Sequence, residues 1–229
     1  MIQALLFDLD GTLVNNDPIH FQAWREILTP YNLDIDEDFY KKRITGRLNP
    51  DIVKDLLPQL TPAQAQEFIE EKEARYRHAA TTIQPLEGLN SILEWANTRS
   101  LKLALVTNAP RLNTQFMLKV LGLETTFSVV VLGEDVAVAK PDPTPYQVAL
   151  AQLGVPKEAA IAFEDSPSGI RSAVSAGIFT VGIASTQEQD TLYQFGAELV
   201  VPNFSAPELI ALLNNNSDTP NSSTTPQRS

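Results

Sequence analysis

The stretch 5-LLFDLDGTLV-14 decides the fold, because an apolar run typical of a buried strand ends in two acids one residue apart. Residues i and i+2 of a strand point to the same side. The alternation therefore predicts that Asp8 and Asp10 face one spot while Leu9 faces the core. Two like charges about 4 Å apart repel by about 4 kcal/mol at an effective dielectric constant of 20. A bound cation, a proton or open water must offset that repulsion.

Beyond about residue 84, apolar runs alternate with helical patterns. Continuous apolar runs of this length are typical of parallel strands that are buried on both faces. The runs are 101-LKLALVT-107, 128-SVVVLG-133, 159-AAIAFE-164 and 178-IFTVGI-183, and the helical patterns 110–122, 144–154 and 167–177 lie between them and end on glycine. Repeated strand–helix units predict an α/β fold, a doubly wound parallel sheet with helices on both faces.

Between the first strand and the rest of the sheet, residues 14–83 are predicted to be helical. Apolar residues recur at spacings of three and four, and Pro18, Pro50 and Pro62 stand where first helical turns would begin. The helical segments are 18–28, 37–44, 50–57 and 62–80. We therefore expect a sheet domain of residues 1–13 and 84–213, an inserted helical domain of residues 14–83, and a disordered tail of residues 214–229 that lacks apolar periodicity.

The composition limits the partners that this chain can bind. Hydrophobic residues make up 43% and charged residues 20% of the chain, which is typical of a soluble globular protein. The net charge of −11 disfavours nucleic acid and anionic membranes. No cysteine is present, so disulfides and thiol chemistry are excluded. No apolar run approaches a membrane span and no secretory signal is recognisable, so we expect a cytoplasmic protein, monomeric by default.

Four predicted strand ends carry polar residues, and ligands of open α/β sheets bind beyond such ends. The residues are Asp8, Asp10 and Thr12 after the first strand, Thr107 and Asn108 after the second, Lys140 after the third, and Glu164 and Asp165 after the fourth. Each has a local alternative: a turn at Asp10-Gly11, a helix cap at Thr107 or Asn108, a solvated lysine at Lys140. Glu164 and Asp165 lack such a task, because Ser166 and Pro167 already suit the start of the next helix.

Together these residues suit phosphoryl transfer. Asp8, Asp10 and Asp165 supply hard oxygen ligands for Mg²⁺, and such a cation would remove the repulsion between the first two acids. One carboxylate can act as the nucleophile, and a second can protonate the leaving oxygen and then deprotonate water. Thr107, Asn108 and Lys140 would hold the phosphoryl oxygens.

In this order, 8-DLDGT-12, Thr107-Asn108, 140-KP-141 and 164-EDSPSG-169 resemble the haloacid dehalogenase-like hydrolase superfamily. The resemblance implies a Rossmann-like core, a helical cap inserted after the first strand, and Mg²⁺-dependent phosphoryl transfer. It makes Asp8 the nucleophile and Asp10 the general acid and base. The implied metal ligands are Asp8, the main-chain carbonyl of Asp10 and Asp165, with Glu164 in or just outside the shell.

Two cap segments, 18-PIHFQAW-24 and 43-RITGRLNP-50, resemble β-phosphoglucomutase-like proteins and related sugar-phosphate phosphatases. His20 would face the cleft in that comparison, or be a hydrogen-bonded histidine on a helix face. Thr45 and Asn49 stand where the mutases present Lys and Arg; Arg43 and Arg47 could replace that charge or be solvated. The candidate substrate-binding residues are Thr12, His20, Arg43, Gly46, Arg47, Asn108 and Arg111.

The resemblance favours an Mg²⁺-dependent phosphatase that acts on a small phosphorylated metabolite such as a sugar phosphate. Dehalogenase chemistry is disfavoured, because it needs neither a metal nor a second acid. One alternative is a β-phosphoglucomutase-type isomerase with the same nucleophile, which the loss of cations at positions 45 and 49 puts in doubt. The other is a non-catalytic binding or regulatory protein with the same fold.

Overall fold

A computed structural model describes residues 1–215, in which six parallel strands form one sheet in the order β3-β2-β1-β4-β5-β6. The strands are β1 (Ala4–Phe7), β2 (Lys102–Thr107), β3 (Val129–Leu132), β4 (Ala160–Glu164), β5 (Phe179–Ile183) and β6 (Leu199–Val201). The chain begins in the middle of the sheet, builds outward to one edge, and then returns beside β1 to build outward to the other edge. The predicted doubly wound parallel sheet is therefore confirmed, and its crevice lies at the carboxyl ends of β1 and its neighbours.

Helices cover the sheet and also form the insert after β1. They are α1 (Asp17–Leu28), α2 (Glu37–Arg43), α3 (Asn49–Leu56), α4 (Pro62–Ala79), α5 (Leu89–Thr98), α6 (Arg111–Leu121), α7 (Thr144–Leu153), α8 (Pro167–Ser175), α9 (Gln189–Gln194) and α10 (Pro207–Asn215). Single 3₁₀ turns occupy Thr29–Tyr31, Gly133–Asp135 and Lys157–Ala159. Sequence reasoning located α1–α4, α6, α7 and α8, and it did not identify α5, α9, β6 or α10.

The centre of the sheet is fixed by β1, whose side chains are all buried. Leu5 and Phe7 pack into the apolar layer on one face, and Leu6 packs into the layer on the other. Phe7 stacks on Phe163 of β4 with 4.8 Å between the ring centroids. Since burying one such side chain is worth about 1.5–3 kcal/mol, β1 is held firmly where its carboxyl end opens onto the crevice.

Helices α1–α4, which we call the cap, pack around an apolar cluster of their own. Trp24 of α1 and Phe68 of α4 lie in that cluster. Pro18, Pro50 and Pro62 occupy first helical turns as predicted, and Thr61 forms a capping box with Gln64 at the start of α4. The exact boundaries of the cap as a separate domain stay a prediction.

The carboxyl-terminal helix α10 reaches Asn215, so residues 214 and 215 are helical although they were predicted to lie in the tail. The rest of the predicted tail, residues 216–229, lies outside the described residues. Within residues 1–215 no helix has the length and apolar character needed to cross a membrane. The predicted cytoplasmic location and monomeric state stay predictions.

Candidate active site

A cleft of about 500 Å³ lies between the cap and the carboxyl ends of the strands. The sheet side of its wall includes Asp8, Asp10, Thr107, Asn108, Lys140 and Asp165. The cap side includes His20, Gly46, Arg47, Lys72 and Glu73. Residues from distant parts of the chain thus meet at the strand ends, as the α/β rule predicted.

The two acids that open the motif reach the cleft by a different local geometry from the one predicted. Strand β1 ends at Phe7, and the Asp8 main-chain N–H still donates to the Phe163 carbonyl oxygen at 3.0 Å. Asp10 has left the strand and lies in a turn closed by the Gly11 N–H on the Val14 carbonyl oxygen at 2.8 Å. Both acids line the cleft and Leu9 is buried, as predicted. The cause is the turn after Phe7 rather than the alternation of side chains along a strand.

Gly11 is required at this turn. Its φ of +78° is in the left-handed region, and a Cβ there would lie 2.0 Å from Asp165 Oδ2. Only glycine therefore lets the loop after β1 approach the acid that follows β4.

Lys140 is the central cation of the sheet side. Its Nζ donates to Asp8 Oδ1 at 2.7 Å, to Glu164 Oε1 at 2.5 Å and to the Val106 carbonyl oxygen at 2.6 Å. The residue is only 6% exposed, so the alternative of a solvated lysine is wrong. The Asn108 side chain holds the main chain of Lys140: its Nδ2 donates to the Lys140 carbonyl oxygen at 3.2 Å, and its Oδ1 accepts from the Lys140 N–H at 3.3 Å. Lys140 is therefore a fixed positive charge beside Asp8.

Glu164 has a structural task that sequence reasoning did not assign. It is fully buried, and its Oε1 also accepts a hydrogen bond from Tyr146 Oη at 2.6 Å. Its Oε2 has no hydrogen-bond partner among the described residues. This oxygen lies so close to Gly169 that a Cβ added to the glycine would be only 1.8 Å away. Glu164 thus packs against the start of α8 and orients Lys140.

The acids after β1 and β4 form a group that fits a divalent cation. Asp8, Glu164 and Asp165 each offer an oxygen, and these atoms lie within 4.8 Å of one another. Burial raises the pKa of Asp8 to about 7 although Lys140 opposes the shift, and burial with the Asp8 charge raises the pKa of Asp165 well above its usual range. When all three acids are ionised, Lys140 leaves two negative charges uncompensated. Oxygen donors with this excess charge suit Mg²⁺.

Asp10 is set apart from this group by its partners. Its Oδ1 accepts a hydrogen bond from Asn16 Nδ2 at 2.6 Å and lies 3.9 Å from His20 Nε2. Burial opposes ionisation of Asp10, but His20 and Asn16 outweigh it and lower the pKa. The two acids of the motif therefore differ in proton affinity, an arrangement that suits a nucleophile and a separate acid–base group.

The cap side of the cleft contains a buried charged pair. His20 stacks on Tyr76 with 3.8 Å between ring centroids, and its Nδ1 lies 3.0 Å from Lys72 Nζ. Lys72 is 2% exposed and donates to Glu73 Oε1 at 2.9 Å. Asn49 Nδ2 donates to the same oxygen at 2.5 Å. The two alternatives predicted for His20 therefore hold together: it lines the cleft, and it is a hydrogen-bonded histidine.

A sequence profile of the haloacid dehalogenase-like hydrolases matches residues 5–183. The chain belongs to this family.

Individual relatives place this haloacid dehalogenase-like hydrolase in the β-phosphoglucomutase-like branch that was predicted. The chain is 32% identical to the phosphorylated carbohydrates phosphatase of Thermotoga maritima, over 87% of this chain and 94% of the relative. It is 29% identical to the β-phosphoglucomutase of Bacillus subtilis, over 87% and 89%. The structure of CbbY from Rhodobacter sphaeroides in complex with xylulose-(1,5)bisphosphate superposes with a TM-score of 0.80, at 25% identity over 90% and 96%. The relatives named as phosphatases support the predicted enzyme class, a phosphoric monoester hydrolase.

Several residues predicted to bind substrate have other surroundings in this hydrolase. Thr12 is fully buried and is not part of the cleft wall. Arg43 and Arg47 both donate to Asp55 Oδ2 at 3.0 Å, and only Arg47 reaches the wall. Arg111 is not part of the wall, but it pairs with Asp135 and with Glu134, and Glu134 does line the cleft. Thr12, Arg43 and Arg111 therefore do not line the cleft, and their substrate-binding roles stay predictions.

Gly46 lies at a contact between the cap and the sheet domain. Its φ is +74°, and its carbonyl oxygen accepts a hydrogen bond from Ser168 Oγ of α8 at 3.1 Å. The glycine therefore lets the cap loop turn over the mouth of the cleft.

Sequence reasoning missed Asn16, Lys72, Glu73 and Tyr146 as members of the site. A signal was present for one of them, because Phe68, Lys72 and Tyr76 recur every four residues and so share one face of α4. A lysine between two buried aromatic residues indicates a cation turned inward, above the Trp24 ring at 5.1 Å.

Proposed function

We propose that this protein is an Mg²⁺-dependent phosphatase that hydrolyses a small phosphorylated metabolite, in particular a sugar phosphate, through an aspartyl-phosphate. The observation that carries the proposal is the meeting of Asp8, Asp165 and Lys140 in a cleft of about 500 Å³. Clefts of this size hold ligands as large as a sugar phosphate. The relative from Thermotoga maritima, named for phosphorylated carbohydrates, supports the same substrate class.

Asp8 and Asp165, together with the main-chain carbonyl of Asp10 that the family resemblance implies, would hold the Mg²⁺ ion. Glu164 is less suited to direct coordination, because one oxygen serves Lys140 and Tyr146 and the other packs toward Gly169. When bound, the cation would supply positive charge to the clustered carboxylates and to the phosphoryl oxygens.

In the first step, an Asp8 carboxylate oxygen attacks the phosphorus, and the bond from phosphorus to the leaving oxygen breaks. The Lys140 ammonium, 2.7 Å from Asp8 Oδ1, is fixed beside the reacting group and stabilises its negative charge. Asp10 gives a proton to the leaving oxygen. Because the lowered pKa of Asp10 favours its ionised form, Asp10 must take up that proton before it can give it.

In the second step, water attacks the phosphorus, Asp10 accepts a proton from that water, and the bond to Asp8 breaks to release inorganic phosphate. The ionised form of Asp10 suits this role as a base. The cap above the strand ends excludes bulk water while the aspartyl-phosphate exists.

Hydrolysis is favoured over mutase chemistry by the charges of the cap. A mutase must hold the second phosphate of a sugar bisphosphate while the first is transferred. The cap arginines that could do so, Arg43 and Arg47, are both paired with Asp55, and Asn49 is bonded to Glu73. A bisphosphate requirement without net phosphate release would favour the mutase instead.

A phosphate-release screen tests the proposal. Sugar phosphates, phosphoglycolate, pyrophosphate and nucleotides are incubated with Mg²⁺ or with EDTA, using wild type, Asp8→Asn and the exposed control Asp38→Asn. We expect release from sugar phosphates that requires Mg²⁺, is lost in Asp8→Asn and is retained in the control. Release near the wild-type rate from Asp8→Asn, or in EDTA, would contradict the proposal.

A further inference from the structure

We propose that Glu73 of the cap determines the substrate class: it favours monophosphates whose leaving group is neutral and rich in hydroxyls, and it rejects a leaving group that carries a second anionic group. This inference deepens the proposed function and rests on it. Glu73 is a carboxylate in the cleft wall that the two chemical steps do not use.

The position of Glu73 is fixed from three directions. Lys72 and Asn49 donate to Oε1 at 2.9 and 2.5 Å, and Asn113 of α6, in the sheet domain, donates to Oε2. The residue is 5% exposed, so it cannot turn away to solvent. Although burial opposes it, the charges of Lys72 and His20 lower the pKa of Glu73 and keep the carboxylate ionised.

The charges of the cap wall show what Glu73 does to a ligand. Within residues 1–215, the basic side chains that the cap gives to the cleft are His20, Arg47 and Lys72. Lys72 is matched by Glu73, His20 lies beside Asp10, and Arg47 shares the Asp55 carboxylate with Arg43, each at 3.0 Å. A second phosphate that approaches Lys72 would therefore also meet the Glu73 carboxylate, so this lysine gives it no net attraction.

A neutral polyol meets the same surface as a set of hydrogen-bonding groups. An ionised carboxylate offers about four acceptor sites, and three donors occupy those of Glu73, so one acceptor site is available to a substrate hydroxyl. Hydrogen bonds to an ionised acceptor are about twice as strong as neutral ones. Glu73 therefore attracts hydroxyls and repels anions.

Equilibrium binding to an Asp8→Asn background in Mg²⁺ tests this inference, with glucose 6-phosphate and fructose 1,6-bisphosphate as probes in calorimetry. Glu73→Gln keeps the shape of the side chain and removes its charge. We expect the ratio of bisphosphate to monophosphate affinity to rise roughly tenfold, because one nearby repulsive charge is removed. Glu67→Gln removes the same charge from the exposed side of α4, outside the cleft wall, and should leave the ratio within about twofold.

A second variant covers the case in which Glu73→Gln fails to fold. Asn49→Lys, at a half-buried position next to Glu73, leaves the acid in place and offers a new cation, so the ratio should rise again. An unchanged ratio in the folded variants would overturn the role of Glu73. Failure of the proposed function is distinguishable, because wild type would then release no phosphate from either probe while the binding ratio could still be measured.

Discussion

The two walls of the cleft each contain a buried lysine, and they use it differently. On the sheet side, Lys140 contacts Asp8 and Glu164, yet the acids there still outnumber the cations. On the cap side, Lys72 is matched one to one by Glu73. The sheet wall thus keeps excess negative charge, which a metal would balance under the proposed function, whereas the lysine of the cap wall is neutralised by its neighbour.

The largest effect should follow from loss of the lysine on the sheet side. Lys140→Met leaves Asp8 without its cation, and we expect kcat/KM to fall about 10³-fold. The free energy of unfolding should also fall by about 3–5 kcal/mol, because Glu164 is left buried and unpaired. Initial rates and urea unfolding measure both effects, with the exposed Lys119→Met as control. A loss of less than about fivefold in kcat/KM would contradict the greater importance of the sheet-side lysine.

The same change on the cap side should cost less. In Lys72→Met the Glu73 charge is no longer matched and repels the anionic substrate, so we expect KM to rise about 10- to 100-fold with a smaller change in kcat. The double variant Lys72→Met/Glu73→Gln removes both charges and should recover most of the loss. Steady-state kinetics on a sugar phosphate measure KM and kcat for both variants. Absence of recovery in the double variant would contradict the one-to-one neutralisation of Lys72 by Glu73.

Two neighbouring acids sharpen the comparison within the sheet wall. Asp165→Asn removes a proposed metal ligand, so the Mg²⁺ concentration at half-maximal activity should rise more than about tenfold. Glu164→Gln loosens Lys140 instead, so it should lower kcat and shift the Mg²⁺ requirement by less than about threefold. Mg²⁺ titrations of activity distinguish the two. The opposite order would make Glu164 the stronger ligand.

The smallest effect should come from the cap arginine that was predicted to bind substrate. Arg47 is paired with Asp55, and such exposed pairs are worth about 0–1 kcal/mol. We expect Arg47→Ala to change KM by less than about twofold for neutral and anionic leaving groups alike. Asp55→Ala is the matched control, since it frees the arginine. A rise in KM of more than about fivefold, confined to anionic leaving groups, would indicate that Arg47 binds the substrate.

The sheet side could be predicted because parallel strands deliver their next residues to one edge. Asp8, Lys140 and Asp165 were found from the chain positions at which apolar runs end, without knowledge of any contact. The local reason given for Asp10 was nevertheless wrong, since it reaches the cleft through a turn that Gly11 permits rather than through strand alternation.

The cap side was hidden for a different physical reason. The stretch 69-IEEKEARYR-77 consists mainly of charges, and composition does not reveal which of them turn inward. Helical spacing indicates the face of Lys72, but the acid that matches it and the contact with Asn113 depend on how α4 packs against α6. The pairing of Arg47 with Asp55 likewise depends on the packing of short helices.

The hydrogen bond from Ser168 to Gly46 has a consequence for turnover. At the opposite end of the cap, Asn16 donates to the buried Tyr76 hydroxyl at 2.5 Å, close to where the chain leaves the strands. The cap is thus anchored at its base, and its loop contacts α8 through a solvent-exposed hydrogen bond of a kind worth about 0.5–1.5 kcal/mol. Breaking it would by itself shift the balance of closed and open forms of the cap by only about 2- to 13-fold, so under the proposed function this contact would add little to the barrier for phosphate release.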